Sequence, residues 1–185
     1  MTPSLATRIN SYAVLGICGV LLGAYYIQFV EGEFPCPLCL LQRLAMLGVA
    51  FGAMLNLRYG IRPSHYGVSL LSAVFGACVS TRQILLHIVP GAGASGYGSA
   101  VLGMHLYTWA FIVFAVVILL IGIMMFFETQ FEDSSENRSA KSIGWFVKAV
   151  FFLVVLIAAS NVVTTFLECG LGQCSDNPTS YKELP

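Results

Sequence analysis

The residues best equipped for chemistry are cysteines. The chain has six, and four of them form two close pairs. Cys36 and Cys39 stand in the run Phe34-Pro35-Cys36-Pro37-Leu38-Cys39-Leu40-Leu41-Gln42-Arg43. Cys169 and Cys174 close the run Cys169-Gly170-Leu171-Gly172-Gln173-Cys174. Two cysteines with two residues between them can form a small ring that opens and recloses by thiolate attack through a mixed disulfide. The same spacing also serves a static loop tie or half of a zinc site, and the pair alone leaves all three readings open. The neighbours add information. Pro35 stops a helix arriving from the N-terminal side, and Pro37 suits a first helical position, where its missing N–H needs no partner. A helix is therefore expected to start at or near the pair. Its N-terminal N–H groups favour an anion, which lowers a cysteine pKa and populates the reactive thiolate. Arg43 falls four residues after Cys39, on the same helical face, and its cation would further stabilise a Cys39 thiolate.

What must position these residues is a membrane bundle. Of 185 residues 57% are hydrophobic and only 10% charged, against about 25% charged in an ordinary soluble domain. A formal net charge of zero and the lack of a basic patch argue against a nucleic-acid partner. A spanning helix needs about 20 mostly apolar residues. Five stretches qualify or nearly do: Tyr12–Val30, Leu40–Leu57, Tyr66–Val89, Val101–Phe127 and Ile143–Leu167. In lipid each must satisfy its own backbone, so each is read as a helix. The first is longer than a signal-peptide core and lacks a small-residue cleavage site, so it is read as retained. The fold expected is all-α: one membrane domain of five helices, followed by a short tail from residue 168.

Orientation follows from charge. One set of ends carries Arg8, Arg58, Arg62, Arg138 and Lys141, with Lys148 just inside the fifth helix. The loops and tail at the other ends carry only Lys182. The positive-inside rule places the first set, with the N-terminus, in the cytoplasm. Both close cysteine pairs then face outward, where disulfides persist. Charge counting reached that placement without using the cysteines.

At Cys36-Pro37-Leu38-Cys39 followed by Gln42-Arg43, the sequence resembles the disulfide bond formation protein B (DsbB) family of thiol–quinone oxidoreductases. The resemblance extends to Arg82 and His87 near the outer end of the third helix and covers the first four helices. It implies a four-helix core with the fifth helix as an addition, located in a bacterial inner membrane. It further implies that a periplasmic DsbA-like dithiol protein is reoxidised and that two electrons pass to ubiquinone or menaquinone. Carried over by position, Cys36 and Cys39 are the quinone-proximal disulfide and Cys39 contacts the quinone. Arg43 binds or polarises a quinone carbonyl, with Arg82 and His87 as further candidates, and Cys36 exchanges with a second pair. The departure lies there. The family places its second pair between the third and fourth helices, but here residues 90–100 contain no cysteine. Cys169 and Cys174 in the outward tail could take over as a relay pair, or could be a static clip.

The competing reading is a membrane copper or zinc binder built from the cysteine pairs with His87 and His105, although these histidines lack ligand spacing. His105, Tyr107 and Trp109 otherwise read as interface residues. Cys18 and Cys78 are expected to be buried, inert thiols. Phe127–Ser142 reads as a solvated linker, and the tail after Asn177 as poorly ordered.

Overall fold

The computed structural model describes residues 3–88, 96–131, 144–176 and 178–183. Five helices make up nearly all of it: α1 (Pro3–Val30), α2 (Pro37–Tyr59), α3 (Pro63–His87), α4 (Leu106–Met125) and α5 (Trp145–Cys169). All five are long and apolar enough to cross a membrane. The architecture is the expected all-α helical bundle. Helices α1 to α4 follow one another as packed neighbours, and α5 packs against α1 and α2.

Polar and apolar residues are distributed inside out. Gln42, Arg43, Asn56, Gln83 and Glu168 are buried, whereas Leu71, Phe152 and Val162 are about 60 to 75% exposed. Water would penalise that apolar surface and lipid does not. This chain is a multi-pass membrane protein.

Three boundaries differ from the hydropathy reading, each for a local reason. Helix α1 starts at Pro3 rather than near Tyr12, because its polar first turns join a buried network. Asn10 donates to Tyr66 Oη at 2.9 Å, and Asn56 donates to Asn10 Oδ1 at 3.1 Å. Tyr66 Oη in turn donates to Gln130 Oε1 at 3.4 Å. Gln130 belongs to a short 3₁₀ turn, Glu128–Gln130, and is 1% exposed. The linker expected to be solvated from residue 127 therefore begins with a docked turn; its residues 132–143 lie outside the described residues. Helix α4 starts at Leu106 rather than near Val101. Residues Ala100–Val101 (β1) and Met104–His105 (β2) pair antiparallel around Leu102-Gly103, which take φ of 52° and 81°. A right-handed helix cannot pass through two such residues.

Close approach of α2 and α3 sets the register of the site. A Cβ placed on Gly52 would lie 2.7 Å from both His65 O and Ser69 N, so only glycine lets the backbones meet there. Ser69 Oγ donates to Val49 O at 2.9 Å and ties the crossing. Beneath it, Phe114 of α4 is fully buried with Met46, Val49, Ala50 and Ala73.

Candidate functional site

Cys36 is the N-cap of α2, and Pro37 occupies its first turn. The backbone N–H of Cys39 donates to Cys36 Sγ at 3.1 Å, the position an N-cap serine or aspartate oxygen would take. Cys36 and Cys39 are joined as a disulfide with Cα atoms 5.0 Å apart. Cys36 is buried and Cys39 half-buried. Both sulfurs thus lie in the first helical turn, where orphan N–H groups and the helix dipole stabilise a thiolate once the bond opens.

A side chain from another element meets the pair: Gln83 of α3, which is 1% exposed. Its Nε2 donates to Cys36 Sγ at 3.1 Å and lies 3.5 Å from Cys39 Sγ. Gln42 Nε2 donates to Gln83 Oε1 at 2.8 Å, which fixes the amide with its N–H groups toward the sulfurs. Sequence reading passed over Gln83. The helical period was the available signal. Ser80, Gln83 and His87 share the inward face of α3, whereas Arg82 is exposed and lines an open apolar groove with Cys78, Thr81, Leu85 and Leu86. Cys78 is thus exposed on that face, contrary to the expected burial, while Cys18 is buried.

Arg43 is 7% exposed and committed to α1. Nη1 donates to Gln28 Oε1 at 2.6 Å, Nη2 donates to Ala24 O at 3.2 Å, and the guanidinium carbon sits 4.9 Å from the Tyr25 ring centre. Arginine suits such a place because its planar fork satisfies several acceptors and an aromatic face together. His87 keeps to the bundle: Nδ1 lies 2.8 Å from Gln83 O, and its ring stacks on Tyr107 at 5.3 Å. His105 stacks on Tyr107 at the same separation.

The second pair is also disulfide-bonded, with Cα atoms 4.5 Å apart. Cys169 ends α5 and is buried; Gly170 follows at φ 63°, and Cys174 is half-buried. The tail beyond it is docked rather than loose, which corrects the expectation of poor order for the described residues 178–183. Tyr181 meets Phe34 edge to face at 4.9 Å and accepts from Gln28 Nε2 at 3.0 Å. Glu183 N donates to Leu167 O at 3.0 Å. Gln28 consequently bridges Arg43 to the tail. Residues 96–99 are strapped to the same loop: Tyr97 Oη donates to Phe34 O at 2.8 Å, and the Glu33 carboxylate accepts from Ser99 N at 2.9 Å. Burial, with the negative charges of Glu168 and Glu33, pushes the Tyr97 phenol above its ordinary pKa. Residues 89–95 of this expected outward loop lie outside the described residues.

The structure thus brings Cys36, Cys39, Arg43, His87 and the tail pair to one end of the bundle. Arg82 lies at the same end of α3 but on its exposed face. Among the described residues no three His, Cys, Asp or Glu side chains converge as metal ligands, so the copper or zinc reading gains nothing from the geometry.

A lipid-embedded helical bundle with a disulfide at a helix N-cap defines a class: membrane proteins that handle electrons through cysteine sulfur. The family model for disulfide bond formation protein DsbB matches residues 6–124, and this chain belongs to that family. Among curated relatives, disulfide bond formation protein B of Albidiferax ferrireducens is 30% identical over 61% of this chain and 83% of its own length. Disulfide bond formation protein B 1 of Pseudomonas fluorescens is 30% identical over 67% of this chain and 87% of its own length. No solved structure is significantly similar. The chain is a disulfide bond formation protein with an oxidoreductase role. The matched region ends at the close of α4, so α5 and Cys169–Cys174 lie beyond it.

Proposed function

We propose that this protein reoxidises a periplasmic DsbA-like dithiol protein and delivers the electrons to ubiquinone or menaquinone in the inner membrane. The observation that carries the reading is the Cys36–Cys39 disulfide at the N-cap of α2, at the same bundle end as a second disulfide. The charge bias of the loops supports a periplasmic position for that end and a cytoplasmic N-terminus.

The residues present fit a lipid-soluble acceptor. Cys39 is half-buried, and Leu41 and Leu44 just beyond it are exposed on the lipid side of α2. Arg43, one turn deeper, supplies fixed positive charge for an oxygen that gains electron density. Cys39 and Arg43 are the residues that would hold the quinone, with His87 at the same end to move a proton. When bound, the quinone supplies a two-electron, two-proton sink that leaves the cysteine pair oxidised.

The chain's own residues perform the exchange. A partner thiolate attacks the tail pair, and half-buried Cys174 is the sulfur it reaches first. Cys169, freed as a thiolate, attacks Cys36 and displaces Cys39. The partner's second thiol then resolves the mixed disulfide on Cys174, and Cys174 attacks Cys169, which restores the tail pair and releases Cys36 as a thiol. Breaking the Cys36–Cys39 bond releases Cys39 as a thiolate in the first turn of α2, next to the Gln83 amide. The first-turn N–H groups and Arg43 hold that charge until the pair recloses.

The test is quinone reduction by the purified protein, with a reduced DsbA-like protein as donor. Wild type is expected to turn over. Cys39→Ser is expected to abolish turnover, and Cys169→Ser/Cys174→Ser to abolish it with that donor. Full turnover in the double variant would reduce the tail pair to a clip. Turnover surviving Cys39→Ser would overturn the reading.

A further inference from the structure

One buried acid is unused by this chemistry. Glu168, on α5 immediately before Cys169, is 5% exposed, and neither carboxylate oxygen has a hydrogen-bond partner among the described residues. An unpaired buried carboxylate is costly and is tolerated where a nearby charge compensates it. That charge is Arg43, in whose field Glu168 lies. The two make no direct ion pair: the guanidinium fork is spent on Gln28 and Ala24. Glu168 is therefore close enough to feel Arg43 and free enough to change its own protonation.

The other titratable and charged groups at this spot are few. Tyr25 of α1 lies under Arg43 and against Thr164. Tyr97 and Glu33 come from the loops, with Tyr97 in the field of both Glu168 and Glu33. Tyr181 of the tail reaches Gln28, and Glu183 and Lys182 lie over Gly170 and Gly172. Among the described residues Arg43 is the cation whose charge acts on the carboxylate.

We infer that Glu168 is a positioning residue that takes up a proton when the Cys36–Cys39 disulfide opens, keeping the charge around Arg43 constant, and releases it when the disulfide recloses. The inference rests on the redox reading of that pair. The balance is as follows. Two external thiols give two electrons to the pair and leave as their own disulfide. The Cys36–Cys39 bond breaks, Cys36 keeps one of the two thiol protons, and Cys39 remains a thiolate beside the helix N-terminus. The second proton goes to the Glu168 carboxylate. One negative charge is thus exchanged for another in the field of Arg43, and no net charge is added to a low-dielectric site. Closure reverses each transfer. The acid acts through Arg43 on the stability of the Cys39 thiolate and does not touch the sulfur.

The experiment equilibrates the full-length protein in detergent with glutathione redox buffers across pH. Alkylation and peptide mass measurement count each cysteine pair separately, and thiolate absorbance reports Cys39. Wild type is expected to take up about two protons per Cys36–Cys39 pair reduced while still showing a thiolate. Glu168→Gln is expected to lose either about one of those protons or the thiolate signal, and Glu168→Asp to restore both. A Glu168→Gln protein with the wild-type proton count and the wild-type thiolate would overturn the inference. Wild type taking up about one proton would overturn it as well. A second measurement needs no variant: the reduced-minus-oxidised infrared spectrum of wild type should gain a band from a protonated carboxyl group shielded from solvent, and its absence counts against Glu168. A Cys36–Cys39 pair that no thiol buffer can open would instead sink the redox reading itself, whatever Glu168 does.

Discussion

At the scale of single residues, the site is an amide resting on two sulfurs. Gln83 spends one end on Gln42 and the other on the disulfide. Gln83→Leu keeps the volume but leaves the buried Gln42 N–H groups without an acceptor, at a cost of about 1–3 kcal/mol. Gln42→Leu/Gln83→Leu removes both partners and should cost less than the sum of the single changes. Detergent-denaturation midpoints of the four proteins check this; strict additivity would mean that the two amides are independent. Tyr97 offers a pH test. Its folded-state pKa is raised, so the folded protein holds the phenol proton more tightly than the unfolded chain. The stability this contributes is fully present below about pH 10 and is lost as pH rises through the folded value. The difference between the spectrophotometric titrations of wild type and Tyr97→Phe should be a phenol that ionises later than free tyrosine.

At the scale of elements, the site depends on how tightly α2 and α3 cross. Gly52→Ala is a two-sided test. Helix propensity alone favours alanine by about 1 kcal/mol. The added methyl meets backbone atoms of α3, and overpacking of that kind costs about 1–3 kcal/mol. The clash should win, because backbone cannot rotate away as a side chain can. The expected outcome is net destabilisation in detergent denaturation, with Gln83 drawn off the sulfurs and the disulfide more readily reduced. A stabilised Gly52→Ala protein would show that the crossing has slack.

At the scale of the whole molecule, the asymmetry lies between the four family helices and the added α5. Among the described residues helix α5 packs chiefly on α1 and α2, yet it ends at Cys169, and the tail beyond it sends Tyr181 back to Phe34 and Gln28. The proposed orientation makes a labelling prediction. In intact cells treated with an external reductant, a membrane-impermeant maleimide should modify half-buried Cys174 and spare buried Cys18. Labelling of Cys174 only after the inner membrane is opened would reverse the topology.

The sequence by itself determined the five helices, because a span needs a long apolar run whatever surrounds it. It also determined the start of α2, since Pro35, Cys36 and Pro37 act on local backbone geometry. The relation of the Cys36–Cys39 pair to Arg43 was legible for the same reason: their spacing along one helix fixes it. Tertiary structure alone decided the rest. Gln83 meets the sulfurs because the rotation of α3 is set by packing against α2. The tail is ordered because Tyr181 finds an aromatic ring and an amide contributed by α1 and its loop, far away in sequence. Glu168 and Arg43, 125 positions apart in the chain, share a field only because α5 folds back along α2, and no pattern of spacing encodes a contact of that range.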